Sequence, residues 1–217
     1  VQGGKIDQKK AQEIIDYAME QGVNYYDTTY VYHSGESESF LGEALRKYPR
    51  DSYYLATKFY VMANPNIEQV FAEQLRKLHT DYIDFYLLHC VNEETMAAYM
   101  AKDRHYMDFL LEQKAKGRIR HIGFSSHGKP ETLEKFLGWS DAFEFVQIQL
   151  NYLDWTMQSA KRQYELITEH GLPVWVMEPV RGGRLASLGE RYDAMLKKAK
   201  PDWSIPAWAF RWLMGLP

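Results

Sequence analysis

The chain has 217 residues, of which 46% are hydrophobic and 25% charged, proportions that suit a folded globular protein and argue against disorder or a coiled coil. Its 26 basic and 29 acidic residues give a net charge of -3, without the basic excess of a nucleic-acid binder. A single cysteine excludes a disulfide framework, a multi-cysteine zinc site or an iron–sulfur cluster made by this chain alone.

No apolar run approaches the ~18 residues of a membrane-spanning helix. The opening Val-Gln-Gly-Gly-Lys is neither a signal peptide nor an initiator methionine. A reduced, cytoplasmic protein without a membrane partner is expected.

Along the chain, helix-period and strand-like segments alternate. Lys9–Gln21 places Ala11, Ile14, Ile15, Ala18 and Met19 on one face and stops at Gly22, which predicts a helix. Val23–Asp27 reads as the first strand. Glu36–Lys47 opens with Glu36 and Glu38, acids suited to the positive end of a helix dipole. Strand Tyr53–Lys58 leads to helix Asn66–Leu78, whose apolar stripe is Ile67, Val70, Phe71 and Leu75. Strand Tyr82–Leu88 is followed by helix Arg104–Lys116, closed by Gly117. Strand Ile119–Phe124 then precedes helix Pro130–Leu137, with proline at an early helical position. Phe145–Leu150, helix Met157–His170 and strand Val174–Met177 complete the alternation, before helical stretches around Arg191–Ala199 and Ile205–Met214.

The strands recur about every 30 residues, roughly one strand–helix unit. Such a rhythm predicts a parallel sheet covered by helices, and nearly apolar strands such as Tyr82–Leu88 fit burial on both faces. A doubly wound sheet and a (β/α)8 TIM barrel both meet these conditions. Polar residues favour the barrel. The strands end at Asp27, Lys58, His89, near Ser125, at Gln147 to Asn151, and at Glu178. In a barrel those ends share one mouth, where the active sites of that fold lie. No Gly-x-Gly-x-x-Gly follows the first strand, as a dinucleotide-binding doubly wound sheet would require.

Each of these residues has an ordinary structural alternative. Asp27 can cap a turn, Lys58 can be a solvated charge and His89 a hydrogen-bonded structural histidine. Tyr32 is one of 16 tyrosines. Together, Asp, Lys and His at the ends of three successive strands with Tyr in the first loop form an assembly that chance rarely supplies. Cys90 beside His89 is expected to face the other way, because adjacent strand residues alternate, and so to be buried and structural. The histidines show no zinc spacing, and no metal site is expected. Tyr30, Tyr60 and Trp155 fall near strand mouths and are candidates to line a pocket for an apolar carbonyl compound.

The residues resemble the aldo-keto reductase superfamily, (β/α)8 oxidoreductases that use nicotinamide cofactors. The match runs through Gly22-Val-Asn-Tyr-Tyr-Asp27-Thr-Thr-Tyr-Val-Tyr32, Ser37-Glu38, Leu41-Gly42-Glu-Ala-Leu45 and Ala56-Thr57-Lys58. It continues through Asp84-Phe-Tyr-Leu-Leu-His89, Gly117-Arg-Ile-Arg-His-Ile-Gly123-Phe-Ser125, Gln147-Ile-Gln-Leu-Asn151-Tyr152 and Glu178-Pro-Val-Arg-Gly-Gly-Arg-Leu185. Runs such as Asn-Tyr-Leu-Asp and Val-Met-Glu-Pro are similar to a prokaryotic branch that often has a cysteine-rich, ferredoxin-like tail, a tail this chain lacks.

The resemblance implies a catalytic tetrad of Asp27, Tyr32, Lys58 and His89. Tyr32 would donate the proton, Lys58 would lower its pKa, Asp27 would hold Lys58, and His89 would orient the carbonyl. It implies cofactor contacts from Ser125, Ser126, Gln147, Met177 and Glu178, and from the Pro179, Arg181, Gly182, Gly183 and Leu185 loop. NADPH is the expected cofactor, with NADH the alternative, and an aldehyde, ketone or quinone the small-molecule partner. An electron-transfer or oligomeric partner also fits this branch. Two positions depart from the common pattern: Ser126 stands where many members have Asn, and Met177 where many have an aromatic ring. A cofactor-binding regulatory or structural subunit with little turnover, and lysine-based chemistry on the same barrel, are the competing classes.

Residues 1–217 are expected to form a single barrel domain, with six recognisable strands where the closed barrel has eight. The first and eighth are missing from this count, and they are neighbours in a closed barrel. The expectation is therefore an excerpt of a longer barrel, or a gap that something else closes.

Overall fold

The computed structural model describes residues 5–217; Val1–Gly4, which belong to the opening read above, lie outside the described residues. Six strands form one sheet: β1 (Tyr25–Asp27), β2 (Tyr54–Phe59), β3 (Ile83–Val91), β4 (Ile119–Ser126), β5 (Phe145–Gln149) and β6 (Val174–Met177). They pair in chain order and every pair is parallel. Parallel neighbours need crossover connections, and helices supply them. These are α1 (Gln8–Glu20), α2 (Ser37–Leu45), α3 (Ile67–Lys77), α4 (Met96–Tyr99), α5 (Tyr106–Ala115), α6 (Pro130–Leu137), α7 (Asp154–Met157), α8 (Ala160–Glu169), α9 (Glu190–Ala199) and α10 (Ile205–Leu213).

The sheet curls. In a flat sheet, five spacings of about 4.8 Å would hold β1 and β6 about 24 Å apart. Yet the Tyr25 ring of β1 lies 4.6 Å from the Trp175 ring of β6, centroid to centroid. The fold is thus the expected α/β barrel architecture with six of its strands. Among the described residues the outer edges of β1 and β6 have no further strand partner.

Alternation along each strand divides the core in two. Leu55, Phe59, Tyr86, Leu88, Ile122, Phe124, Val146 and Ile148 face outward and pack with helix residues such as Val70, Phe71, Leu110, Leu133 and Phe136. Ala56, Leu87 and Phe145 point inward and, with Tyr25, Phe85 and Trp175, fill the closed end of the curl. The same inward parity continues to the polar strand ends, so the apolar plug forms the floor beneath them.

Boundaries differ from expectation where the backbone turns left-handed. The helix anticipated over Met157–His170 starts later, at Ala160 of α8, because Ser159 turns left-handed with φ 54°, and the single turn α7 precedes it. α4, a single turn between the third strand and the next helix, lacks the periodic length that would reveal it. No helix among the described residues is long and apolar enough to cross a membrane.

Gly42 lies where two helices approach closely. A Cβ there would sit 2.2 Å from the Lys77 carbonyl oxygen and 2.9 Å from Leu78 Cα, where α2 meets the end of α3. Backbone atoms cannot swing aside as a side chain can. Gly42→Ala should therefore destabilise the fold by about 1–3 kcal/mol, read as a lower denaturant midpoint.

Candidate active site

β1 delivers Asp27 to the open end of the curl, β2 delivers Lys58 and β3 His89. Lys58 is 1% exposed, although it ends in a charge. Its ammonium is paired with the Asp27 carboxylate and donates to the Thr28 carbonyl at 2.8 Å. Gln147 of β5 donates from Nε2 to the other Asp27 oxygen at 3.3 Å. Asp27 therefore joins β2 and β5 across the mouth. Burial pulls the Lys58 pKa down, while the charge and hydrogen bond of Asp27, and the charge of Glu38, oppose that shift.

A buried polar layer supports Lys58 from behind. Gln74 of α3 donates to the Lys58 carbonyl at 2.9 Å and to Glu38 at 2.8 Å. Thr57 donates to the same Glu38 oxygen at 2.6 Å, and the Tyr86 hydroxyl donates to Gln74 at 2.6 Å. The Ser37-Glu38 motif thus fixes the rear of β2 rather than facing the mouth.

Tyr32 opens a short 3-10 turn, Tyr32–Gly35, and its ring is 41% exposed. Lys58 Nζ lies 5.3 Å from the ring centroid, and the His89 ring meets it edge-on at 5.9 Å. Lost hydration, then the acidic groups Asp27, Cys90 and Glu178, push the phenol up to about 12. The lowered pKa expected from Lys58 is not seen, because no hydrogen bond links phenol and ammonium. Tyr32 is consequently a protonated acid at neutral pH.

His89 is 8% exposed, and its Nδ1 lies 3.3 Å from the Thr29 hydroxyl. Tyr60 packs edge-on against its ring at 5.4 Å. Burial, then the charges of Lys58 and His127, lower its pKa to about 3, so His89 is a neutral imidazole. The unfolded chain takes up a proton near the ordinary value of about 6.5, which the folded chain refuses until about 3. Stability therefore falls as pH drops through that window, by up to about 1.4 kcal/mol per pH unit. His89→Gln should flatten this acid limb in urea unfolding measured at successive pH values. His127, lowered by burial in the same direction, leaves a residual slope.

Left-handed backbone at non-glycine residues is concentrated around this mouth. His33 and Ser34 follow Tyr32 with φ 50° and 56°, Cys90 follows His89 with φ 57°, and Glu178 follows Met177 with φ 59°. At Cys90 this turn interrupts the strand alternation expected there. Its N–H donates to Ser125 Oγ at 2.8 Å, and Asn92 donates to its Sγ at 3.6 Å. Burial pushes the thiol up, which suits a structural cysteine and not a nucleophile.

Ser125 and Gln147 share the inner face with Asp27, Lys58 and His89. Ser126 takes the outer face with Phe124, and its buried hydroxyl has no partner among the described residues. It lines a cavity of about 370 Å³ with Glu93, Lys129, Gln149, Ser159 and Gln163. Tyr30 is tied to Glu73 of α3 at 3.0 Å, and Trp155 packs on Tyr164 and Trp212. Of the three aromatic candidates, Tyr60 is the one beside His89.

Met177 ends β6 and Glu178 begins a tight loop. The Arg181 N–H donates to the Glu178 carbonyl, and those of Gly183 and Leu185 to the Val180 carbonyl, each at 3.0 Å. Gly182 and Gly183 adopt φ 61° and 88°, and a Cβ on Gly183 would meet nothing within 4 Å. The loop, which includes Pro179, is anchored by Leu185 and leaves glycine backbone and the Arg181 cation open to a ligand. Sequence reasoning missed Thr29, Gln74 and Asp154, which touch the named residues. Asp154 had one trace, the Asn-Tyr-Leu-Asp run.

A buried cation, a protonated phenol and a neutral imidazole around one opening can bind an oxygen, give it a proton and stabilise the charge left behind. The model of the Aldo/keto reductase family matches residues 1–214. The uncharacterized oxidoreductase YqkF of Bacillus subtilis is 28% identical over 196 residues, covering 82% of this chain and 58% of the relative. The NADH-specific methylglyoxal reductase of Escherichia coli is 26% identical over 202 residues, covering 84% and 60%. The chain thus spans less than two thirds of these curated relatives. Among solved structures, the holo form of aldo-keto reductase AKR11C1 from Bacillus halodurans is 29% identical with a TM-score of 0.73, covering 94% of this chain and 73% of that one. Six curled parallel strands, their polar ends and the match over residues 1–214 lead to one conclusion: the chain belongs to the aldo/keto reductase family.

Proposed function

We propose that this mouth reduces an aldehyde, ketone or quinone carbonyl with a nicotinamide cofactor, and that Tyr32 donates the proton. The observation that supports this reading most is the buried Lys58 ammonium, paired with Asp27 and set beside the Tyr32 and His89 rings. When bound, the reduced nicotinamide supplies the hydride. All else falls to the chain. Tyr32 holds a transferable proton at neutral pH. Lys58, held by Asp27, places its charge 5.3 Å from the Tyr32 ring centroid, and would stabilise the phenolate once the two groups close to hydrogen-bonding distance during the transfer. His89 is neutral and positions the carbonyl oxygen by hydrogen bonding.

The donor set fits a dinucleotide. Ser125 and Gln147 offer polar groups at the base of the mouth, and Met177 offers a polarisable surface at the end of β6. The Glu178–Leu185 loop offers glycine backbone and an arginine, groups suited to a pyrophosphate. NADPH is our preferred cofactor on the family resemblance, and the NADH-specific relative makes NADH the necessary comparison. The same resemblance supports a single catalytic domain over residues 1–217, working in the cytoplasm on a small carbonyl compound.

The test is to titrate the chain with NADPH and with NADH while following tryptophan fluorescence, then add a panel of aldehydes, ketones and quinones. We expect saturable binding and carbonyl-dependent loss of the reduced-nicotinamide absorbance. Binding with no turnover on any of them would favour a regulatory subunit, and neither binding nor turnover would overturn the reading.

A further inference from the structure

We propose that Asp154 is a positioning residue for the cofactor loop, holding Arg181 by one edge so that its other edge can take an anionic phosphate. The inference rests on the reading above that residues 178–185 border the cofactor, and it assigns a role to a residue outside the tetrad and the loop.

Asp154 is fully buried at the first turn of α7. One of its oxygens, Oδ2, accepts hydrogen bonds from Gln149 Nε2 at 2.8 Å and Asn151 Nδ2 at 2.6 Å, and forms an ion pair with Arg181, whose Nε lies 3.4 Å away. Arg181 is the one cation paired with it among the described residues. Asn151 fixes the geometry further. Its Nδ2 also donates to the Glu178 carbonyl at 3.0 Å, while its Oδ1 accepts from the Leu153 and Asp154 N–H groups at 3.1 and 2.9 Å. The start of the loop and its arginine are thus tied to a single carboxylate.

The arrangement is not one that stability alone would favour. Oδ1 of Asp154 is buried without a hydrogen-bond partner among the described residues, while Oδ2 accepts two hydrogen bonds and faces Arg181. A buried ion pair adds little net stability compared with apolar packing of the same volume, so its consequence here is geometric. The Arg181 side chain remains 23% exposed, and its terminal nitrogens make no hydrogen bond or ion pair among the described residues. A guanidinium is a planar fork. With its Nε side held beside Asp154 by the ion pair, the terminal nitrogens are placed before a ligand arrives. Lysine could supply the charge at this position but not the two-edged geometry.

The experiment measures NADPH binding by tryptophan fluorescence in the full chain and in Asp154→Asn, Arg181→Lys, Arg181→Ala and Asp154→Asn/Arg181→Ala. We expect Asp154→Asn and Arg181→Lys each to raise Kd about tenfold, and Arg181→Ala at least as much. Asp154→Asn should add nothing once Arg181 is alanine, because the two act as one unit. A role of Asp154 in folding alone would weaken binding equally in both backgrounds, and that result would overturn the inference. So would unchanged affinity in Arg181→Lys, which decides the matter even where Asp154→Asn does not fold. If Arg181→Ala binds as the unaltered chain does, the loop is not the phosphate site, and both that reading and this inference fail.

Discussion

Tyr32→Phe is expected to cut carbonyl reduction about 10²–10⁴-fold while leaving dinucleotide affinity unchanged. The substitution removes one oxygen and its proton. The remaining ring keeps its edge-on contact with His89 and its place beside Lys58, so the mouth keeps its shape. Dinucleotide contacts are assigned to Ser125, Gln147 and the β6 loop, none of which is hydrogen-bonded to the phenol. The phenol stands at about 12 before any ligand binds, so an accepting oxygen finds it protonated throughout the neutral range. Initial rates at saturating cofactor, alongside a fluorescence titration, separate the two effects. Equal turnover by the phenylalanine variant, on a carbonyl that the unaltered chain reduces, would remove Tyr32 from the chemistry.

The second large effect falls on stability. Asp27→Asn should destabilise the chain by about 3–5 kcal/mol at neutral pH, because it leaves the buried Lys58 charge without its counter-ion. The remaining acceptor on the ammonium is the Thr28 carbonyl, a dipole and not a charge. Burial already holds Lys58 below the ordinary lysine value, and losing Asp27 lowers it further. The sign of the pH dependence follows. The unfolded lysine binds its proton up to about 10.5, above the folded value, so the stability of the variant rises as pH climbs through that interval. Lys58→Met should cost less than Asp27→Asn. It removes the buried charge and leaves Asp27, 25% exposed at its side chain, in contact with water and Gln147. Urea unfolding of both variants at neutral and alkaline pH checks the order and the slope.

Much of the architecture was legible because the signals were periodic. Strands β2 to β6 lie within a few residues of their expected bounds, since runs such as Ile83–Val91 are apolar on both faces and bounded by turns. The placement of Asp27, Lys58 and His89 at the mouth was legible for a related reason: a polar residue ending an apolar run has one place to go in a parallel barrel, the mouth. Other features depend on contacts between segments distant in sequence. The Asp154 link to Arg181 spans two loops, and no local pattern encodes it. The left-handed turns at Cys90 and Ser159 occur at residues with no glycine to announce them. The first changes where a strand residue points, and the second delays the start of an expected helix. The Tyr32 pKa was misjudged because lost hydration and three acidic neighbours prevail over a lysine that makes no hydrogen bond to the phenol.

Direct transfer of hydride from the nicotinamide to the carbonyl carbon underlies every role proposed for the mouth, and the position of an isotope label reports it. The chain would be given NADPH carrying deuterium at the transferring position of the nicotinamide, with a carbonyl compound it turns over, in ordinary water. Deuterium is expected on the former carbonyl carbon. Product with hydrogen from water on that carbon would contradict direct transfer.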